Sequence, residues 1–105
     1  MKNLTKIILT SVLVMSIGSS VASADVTKGQ KLYLKKLKGA CGMNGAKMAT
    51  KHSQMEWEMV KDNLAQEIKN ICPNASDRSL KEKYLPHYFD FFYEYANDSG
   101  NVPSC

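Results

Sequence analysis

Three cysteines, Cys41, Cys72 and Cys105, carry the most reactive side chains of this 105-residue chain. Their spacing matches neither a CxxC redox motif nor a zinc site. In an oxidising compartment they allow one intramolecular disulfide and leave one thiol over, and the spacing alone leaves all three pairings open. The remaining thiol is then buried and inert, paired with another chain, or holding a ligand.

Methionine and histidine side chains recur at helical spacing between residues 48 and 59. Met48, His52, Met55 and Met59 stand at i, i+4, i+7 and i+11, which places them on one face of a continuous helix. Thioethers and imidazole are suitable ligands for Cu(I), so this face is a candidate copper site. The competing interpretation is gap-filling core methionine, with Ser53 as an N-cap that leaves Met48 and His52 ahead of the helix.

The sequence lacks the motifs of other chemistry. It has no Ser-His-Asp order, no recognisable pair of catalytic carboxylates and no glycine-rich phosphate loop. His52 and His87 are far apart in sequence, and an ordinary structural role explains each of them. We therefore expect that the protein is not an enzyme.

The first 24 residues have the layout of a secretory signal peptide. Lys2 and Lys6 precede an uncharged apolar run over residues 7–18, and residues 22–24 form a small-x-small cleavage site. This run is shorter than the about 20 residues that a membrane-spanning helix needs. We expect cleavage before Asp25, export to a bacterial periplasm, and a mature domain of residues 25–105 without an integral membrane span.

Helical patterns cover most of the mature domain, and no stretch alternates with a period of two, so the predicted class is all-α. The first predicted helix runs from Thr27, its N-cap, to Lys38, and glycines 39 and 42 end it. The second begins at the capping box of Ser53 and Glu56 and continues to Cys72, before a proline. Its apolar stripe comprises Trp57, Val60, Leu64, Ile68 and Ile71.

Two further elements follow in the predicted order. Ser79 caps a short turn, and an aromatic helix begins near Pro86, a residue suited to a first helical turn. The aromatic run from Tyr88 to Tyr95 covers most faces of that helix. It therefore lies deep in the core or faces a ligand.

Charge is divided between two parts of the domain. Residues 25–51 hold seven lysines and one acid, whereas residues 56–105 hold five basic and nine acidic residues. The simple explanation is attraction between the halves and a solvated face. The more specific one is a basic docking surface, formed by Lys31, Lys35 and Lys38, for an acidic periplasmic redox partner or anionic lipid. Export and the modest charge excess argue against nucleic acid.

The segment Lys28–Tyr33, with the sequence KGQKLY, resembles the first helix of class I cytochromes c. The segments 41–45 and 100–105 are similar to those of small periplasmic cytochrome c-like proteins. The resemblance implies a small three- to four-helix cytochrome c-like domain. It also implies that Gly29 allows the first helix to cross the aromatic C-terminal helix closely.

The haem-attachment motif of that family is degenerate here. Cys41 stands at its second cysteine, Lys38 replaces the first, and Gly42 replaces the proximal histidine. Standard attachment needs two thioethers and the adjacent histidine, so the resemblance implies a non-standard haem or none. The candidate cofactor residues are Cys41, His52, His87 and Met43, with Met48, Met55 and Met59 as further axial candidates. Because Cys41 would face the cofactor, the resemblance pairs Cys72 with Cys105.

Three hypotheses follow from the sequence. The first is a periplasmic cytochrome c-like protein with an electron-transfer or haem-associated role. The second is a haem-free, disulfide-stapled interaction module with a lysine-rich docking face. The third is a Cu(I)-binding protein.

Overall fold

The fold is all-α in the computed structural model, which describes residues 25–103, and no strand occurs within that range. The predicted class is therefore confirmed, whereas the predicted signal peptide and Cys105 lie outside the described residues. The α-helices are α1 (Val26–Leu32), α2 (Lys38–Cys41), α3 (Gly45–Ala49), α4 (Gln54–Met59), α5 (Leu64–Ile71) and α6 (Leu85–Glu94). A π-helical segment, Tyr33–Leu37, joins α1 to α2, and 3-10 turns cover Lys61–Asn63 and Asp77–Leu80.

The N-terminal helical segment begins earlier and ends later than predicted. Its N-cap is Asp25 rather than Thr27, and the Asp25 carboxylate accepts the backbone N–H groups of Thr27 and Lys28 at 2.9 and 3.2 Å. The segment continues through Gly39 and ends at Gly42, whose φ of 67° is left-handed. Gly42 ends the helix because a residue without a Cβ adopts that conformation without steric cost.

The second predicted helix is interrupted in its middle. The Ser53–Glu56 capping box is present at the start of α4, as predicted. The backbone then leaves the helical region at Val60 and Asn63, so α4 and α5 are separate helices. A β-branched residue and an asparagine are both weak helix formers, which explains why the interruption falls there. Trp57, at the centre of α4, is nevertheless buried, as are Leu64 and Ile68 of α5.

The C-terminal helix α6 supplies the largest share of the core. It crosses α1 at Gly29, where a Cβ would lie 2.1 Å from the carbonyl oxygen of His87. Only glycine fits this crossing, as the sequence resemblance implied. The aromatic run is core rather than ligand-facing: the side chains of α6 that are buried are His87, Tyr88, Phe89, Phe91 and Phe92.

One element near α6 departs from prediction. The 3-10 turn before it is capped by Ser76, whose hydroxyl accepts the Ser79 N–H, and not by Ser79. The segment after α6 is held by hydrogen bonds: Asn97 N–H donates to the His52 carbonyl at 3.1 Å, and Asp98 accepts the Gln54 N–H at 2.9 Å. These bonds fix the loop before α4 against the end of α6.

Candidate functional site

A disulfide joins Cys41, the last residue of α2, to Cys72, which directly follows α5. The pairing of Cys72 with Cys105 is therefore wrong. The physical reason is that the fold brings the ends of α2 and α5 together, with the two Cα atoms 4.7 Å apart, a normal separation for a disulfide. Cys41 is bonded to a second cysteine.

A third sulfur lies beside this disulfide. The Met48 Sδ is 3.9 Å from the Cys72 Sγ, and the two side chains are 0 and 1 % exposed. Met48 reaches this position because Asn44 caps α3, its side chain accepting the Lys47 N–H at 2.8 Å. Three sulfur atoms are thus grouped where α2, α3 and α5 meet. The group could not be predicted from the sequence, because no helical periodicity relates positions 41, 48 and 72.

The interior next to α3 is filled by an aromatic stack. Trp57 stacks on Phe92 with ring centroids 4.7 Å apart, and its indole N–H donates to the Ala49 carbonyl at 2.9 Å. Trp57 and Phe92 are both fully buried. The stack joins α4 to α6, and the indole hydrogen bond fixes the end of α3 against α4.

His52 is held between two carboxylates at the edge of this core. Its Nε2 lies 2.7 Å from Glu67 and its Nδ1 lies 3.5 Å from Glu56, while its ring meets Trp57 edge-on at 4.7 Å. The Ser53 backbone N–H is the main cause that lowers the pKa of Glu56. The sequence pattern did not predict the contact between Glu67 and His52, which are 15 positions apart. The break between α4 and α5 brings Glu67 back to His52.

The predicted copper face is not formed. The helix is interrupted between Ala49 and Gln54, so Met48 and His52 precede α4. Met48 is in the core, whereas Met55 and Met59 are 71 and 75 % exposed.

The candidate haem ligands lie on different elements. Cys41 is bonded to Cys72, and Met43 is partly buried between α2 and α3. His87 is buried on α6, against α1, and its Nδ1 has no hydrogen-bond partner within residues 25–103. These residues do not fit an attached haem, because the one cysteine left in the motif has no free thiol and the motif's histidine position holds glycine.

A shallow groove of about 450 Å³ lies over the degenerate attachment motif. Leu34, which is 39 % exposed, contributes apolar surface to it. The other lining residues are Lys38, Gly39, Gly42, Met43 and Asn44. The groove therefore combines apolar surface with a lysine at its edge.

The lysines predicted to form a docking surface are exposed. Lys31, Lys35 and Lys38 form no ion pair with any carboxylate of the described residues; the lysine that does is Lys69, with Asp77. The charge of these three lysines, on α1, the π-helical segment and α2, is therefore not neutralised by an ion pair within residues 25–103.

Within residues 25–103, no helix combines the length and apolar character needed to cross a membrane. The same range holds no group of three or more histidine, cysteine, aspartate or glutamate side chains arranged for a metal ion. No family model, curated protein or solved structure matches this chain.

Proposed function

We propose that the protein is a haem-free, disulfide-stapled interaction module that docks an acidic protein partner through a basic face. The observation that carries the proposal is the Cys41–Cys72 disulfide. It occupies the sulfur that a single-thioether haem would need, and it ties α2, the helix that begins at Lys38, to the end of α5. An electron-transfer role through an attached haem would need that sulfur free.

The disulfide also supports a location of the protein outside the cytoplasm. Structural disulfides persist in oxidising compartments such as the periplasm, which agrees with the signal-peptide pattern of residues 1–24. Closing a loop with a sequence separation of 31 contributes about 3–4 kcal/mol in the chain-entropy model. A domain of this size gains a large share of its stability from such a bond.

The basic face comprises Lys31, Lys35 and Lys38, together with the groove that contains Leu34. Unpaired positive charges accelerate association with a negatively charged partner, and salt screens this attraction. The apolar surface of the groove offers a contact that salt does not screen. An acidic protein surface with an apolar side chain is the chemistry that fits both features.

The test measures association with a sensor surface coated with poly-L-glutamate. The variant Lys31→Gln/Lys35→Gln removes two charges from the face, and the matched control Lys51→Gln/Lys81→Gln removes two exposed lysines elsewhere. We expect the association rate of the first variant to fall by about tenfold and that of the control to fall much less. Equal losses would show that net charge alone drives binding and would contradict a localised face.

A further inference from the structure

We propose that reduction of the Cys41–Cys72 disulfide converts the three-sulfur group into a binding site for Cu(I). The group consists of Cys41, Cys72 and Met48. It differs from the copper face predicted from the sequence, of which it retains Met48 alone. Its three sulfur ligands are distinct from the lysines of the proposed docking face.

The ligand chemistry favours a soft metal ion such as Cu(I). Two thiolates and a thioether are all sulfur donors, which Cu(I) prefers and which Mg²⁺ and Ca²⁺ avoid. With metal–sulfur bonds of about 2.3 Å, the three sulfurs around a trigonal ion lie about 4 Å apart. The Met48 and Cys72 sulfurs already lie 3.9 Å apart. After reduction, the Cys41 sulfur has to move away from the Cys72 sulfur to reach such a spacing.

Burial supports the same assignment. Met48 and Cys72 are almost completely shielded from water, which protects a Cu(I) thiolate centre from solvent. Cys41 is only partly buried, and Gly39 and Gly42, two positions before it and one position after it, line the open groove, which gives the ion a path of entry. Lys38, one turn before Cys41 on α2, supplies a positive charge near a centre with a net charge of minus one.

The reaction is balanced with a dithiol as the reductant. The dithiol transfers two electrons and two protons, the Cys41–Cys72 S–S bond breaks to give two thiols, and the dithiol becomes a disulfide. Cu(I) then binds both sulfurs as thiolates and releases two protons to solvent. Met48 donates a lone pair and undergoes no change of oxidation state.

The experiment uses the full chain with Cys105→Ser, so that the two site cysteines are the only thiols after reduction. Protein is reduced with dithiothreitol, freed of it under anaerobic conditions, and titrated with Cu(I) against the chromophoric competitor bicinchoninate. We expect one Cu(I) per reduced chain and none per oxidised chain. Copper binding of equal affinity to the oxidised chain would overturn the proposal, because it would place the site elsewhere.

Two variants separate the buried thioether from the exposed ones. Met48→Leu removes the third sulfur with little change of volume and should weaken Cu(I) binding by at least about tenfold, since even outer-shell changes reach that size. Met55→Leu/Met59→Leu, the matched control, should bind as the parent does. Unchanged affinity in Met48→Leu would overturn the three-sulfur site.

X-ray absorption of the copper-loaded parent counts the ligands without any dependence on how the variants fold. Three sulfur neighbours would support the site, and two would overturn the role of Met48. Near-ultraviolet circular dichroism of the reduced, metal-free chain checks that the helices stay packed. Loss of that signal would contradict a site that the fold preorganises before the metal binds.

Discussion

Gly29 of α1 and His87 of α6 are in backbone contact, and a Cβ on Gly29 would lie 2.1 Å from the His87 carbonyl oxygen. The Cβ would also lie 2.9 Å from the Cβ of Phe91. A backbone carbonyl within a helix cannot move aside cheaply. The separation of α1 and α6, and with it the packing of the aromatic core, therefore depends on the absence of one side chain.

Gly29→Ala should destabilise the protein by about 1–3 kcal/mol, because the two helices must separate to admit the methyl group. Urea unfolding followed by circular dichroism measures the change. The control is Gly39→Ala, since a Cβ there meets no described atom within 4 Å. That variant should be unchanged or slightly more stable, because alanine favours the helix over glycine. Equal effects at the two positions would contradict the close crossing.

Removing the Cys41–Cys72 disulfide with the double substitution Cys41→Ala/Cys72→Ala should lower the free energy of unfolding by about 3–4 kcal/mol. This is the stabilisation that the chain-entropy model gives for closing the loop. The comparison is Cys105→Ser, which should leave the unfolding midpoint unchanged because Cys72 is already paired with Cys41. A large loss in Cys105→Ser, with little effect of the double variant, would favour the Cys72–Cys105 bridge instead.

Trp57→Phe should cost about 2–4 kcal/mol, because it creates a void and leaves the buried Ala49 carbonyl without its donor. Met59→Leu, at a position that is 75 % exposed, should change stability by no more than about 0.5 kcal/mol. Thermal unfolding of both variants tests this contrast. If Trp57→Phe left the unfolding temperature unchanged, the aromatic stack would not be the centre of the core.

Asp90→Asn should stabilise the protein at neutral pH. Burial raises the pKa of the Asp90 carboxyl, an effect that Lys61 and His87 oppose and that Asp25 and Glu94 reinforce. The pKa of Asp90 in the folded protein lies above its ordinary value of 3.8, so the ionised carboxylate destabilises the fold at neutral pH. This destabilisation disappears once the pH falls below 3.8, where the carboxyl is protonated in both the folded and the unfolded chain. The gain in the asparagine variant should therefore vanish in acid, as denaturant unfolding across a pH series will show.

Glu56→Gln provides the comparison of opposite sign. The Ser53 N–H lowers the pKa of Glu56, so the charged carboxylate stabilises the fold above its ordinary value of 4.5. That contribution is lost as pH falls through the lowered pKa. The glutamine variant should be less stable than the parent at neutral pH and equal to it in acid. The same sign for both variants would refute these assignments.

Local patterns in the sequence predicted the fold better than the site. The Ser53–Glu56 capping box was found because it is a local signature, whereas the glycine at the helix crossing was implied by the resemblance to class I cytochromes c. The break at Val60–Asn63 was missed, because the apolar spacing continues across it. The disulfide partner of Cys72 was also missed, since it depends on which helix ends meet in space. The same limit applies to the contact of Glu67 with His52.

The proposed haem-free function depends most directly on the state of the Cys41 sulfur in protein purified from its native cell. Trypsin places the three cysteines in separate peptides, 39–47, 70–78 and 84–105. Mass spectrometry without reduction should find the first two joined, at a mass two hydrogens below their sum, with no haem on Cys41. A haem adduct on peptide 39–47, or a link between peptides 70–78 and 84–105, would contradict the account.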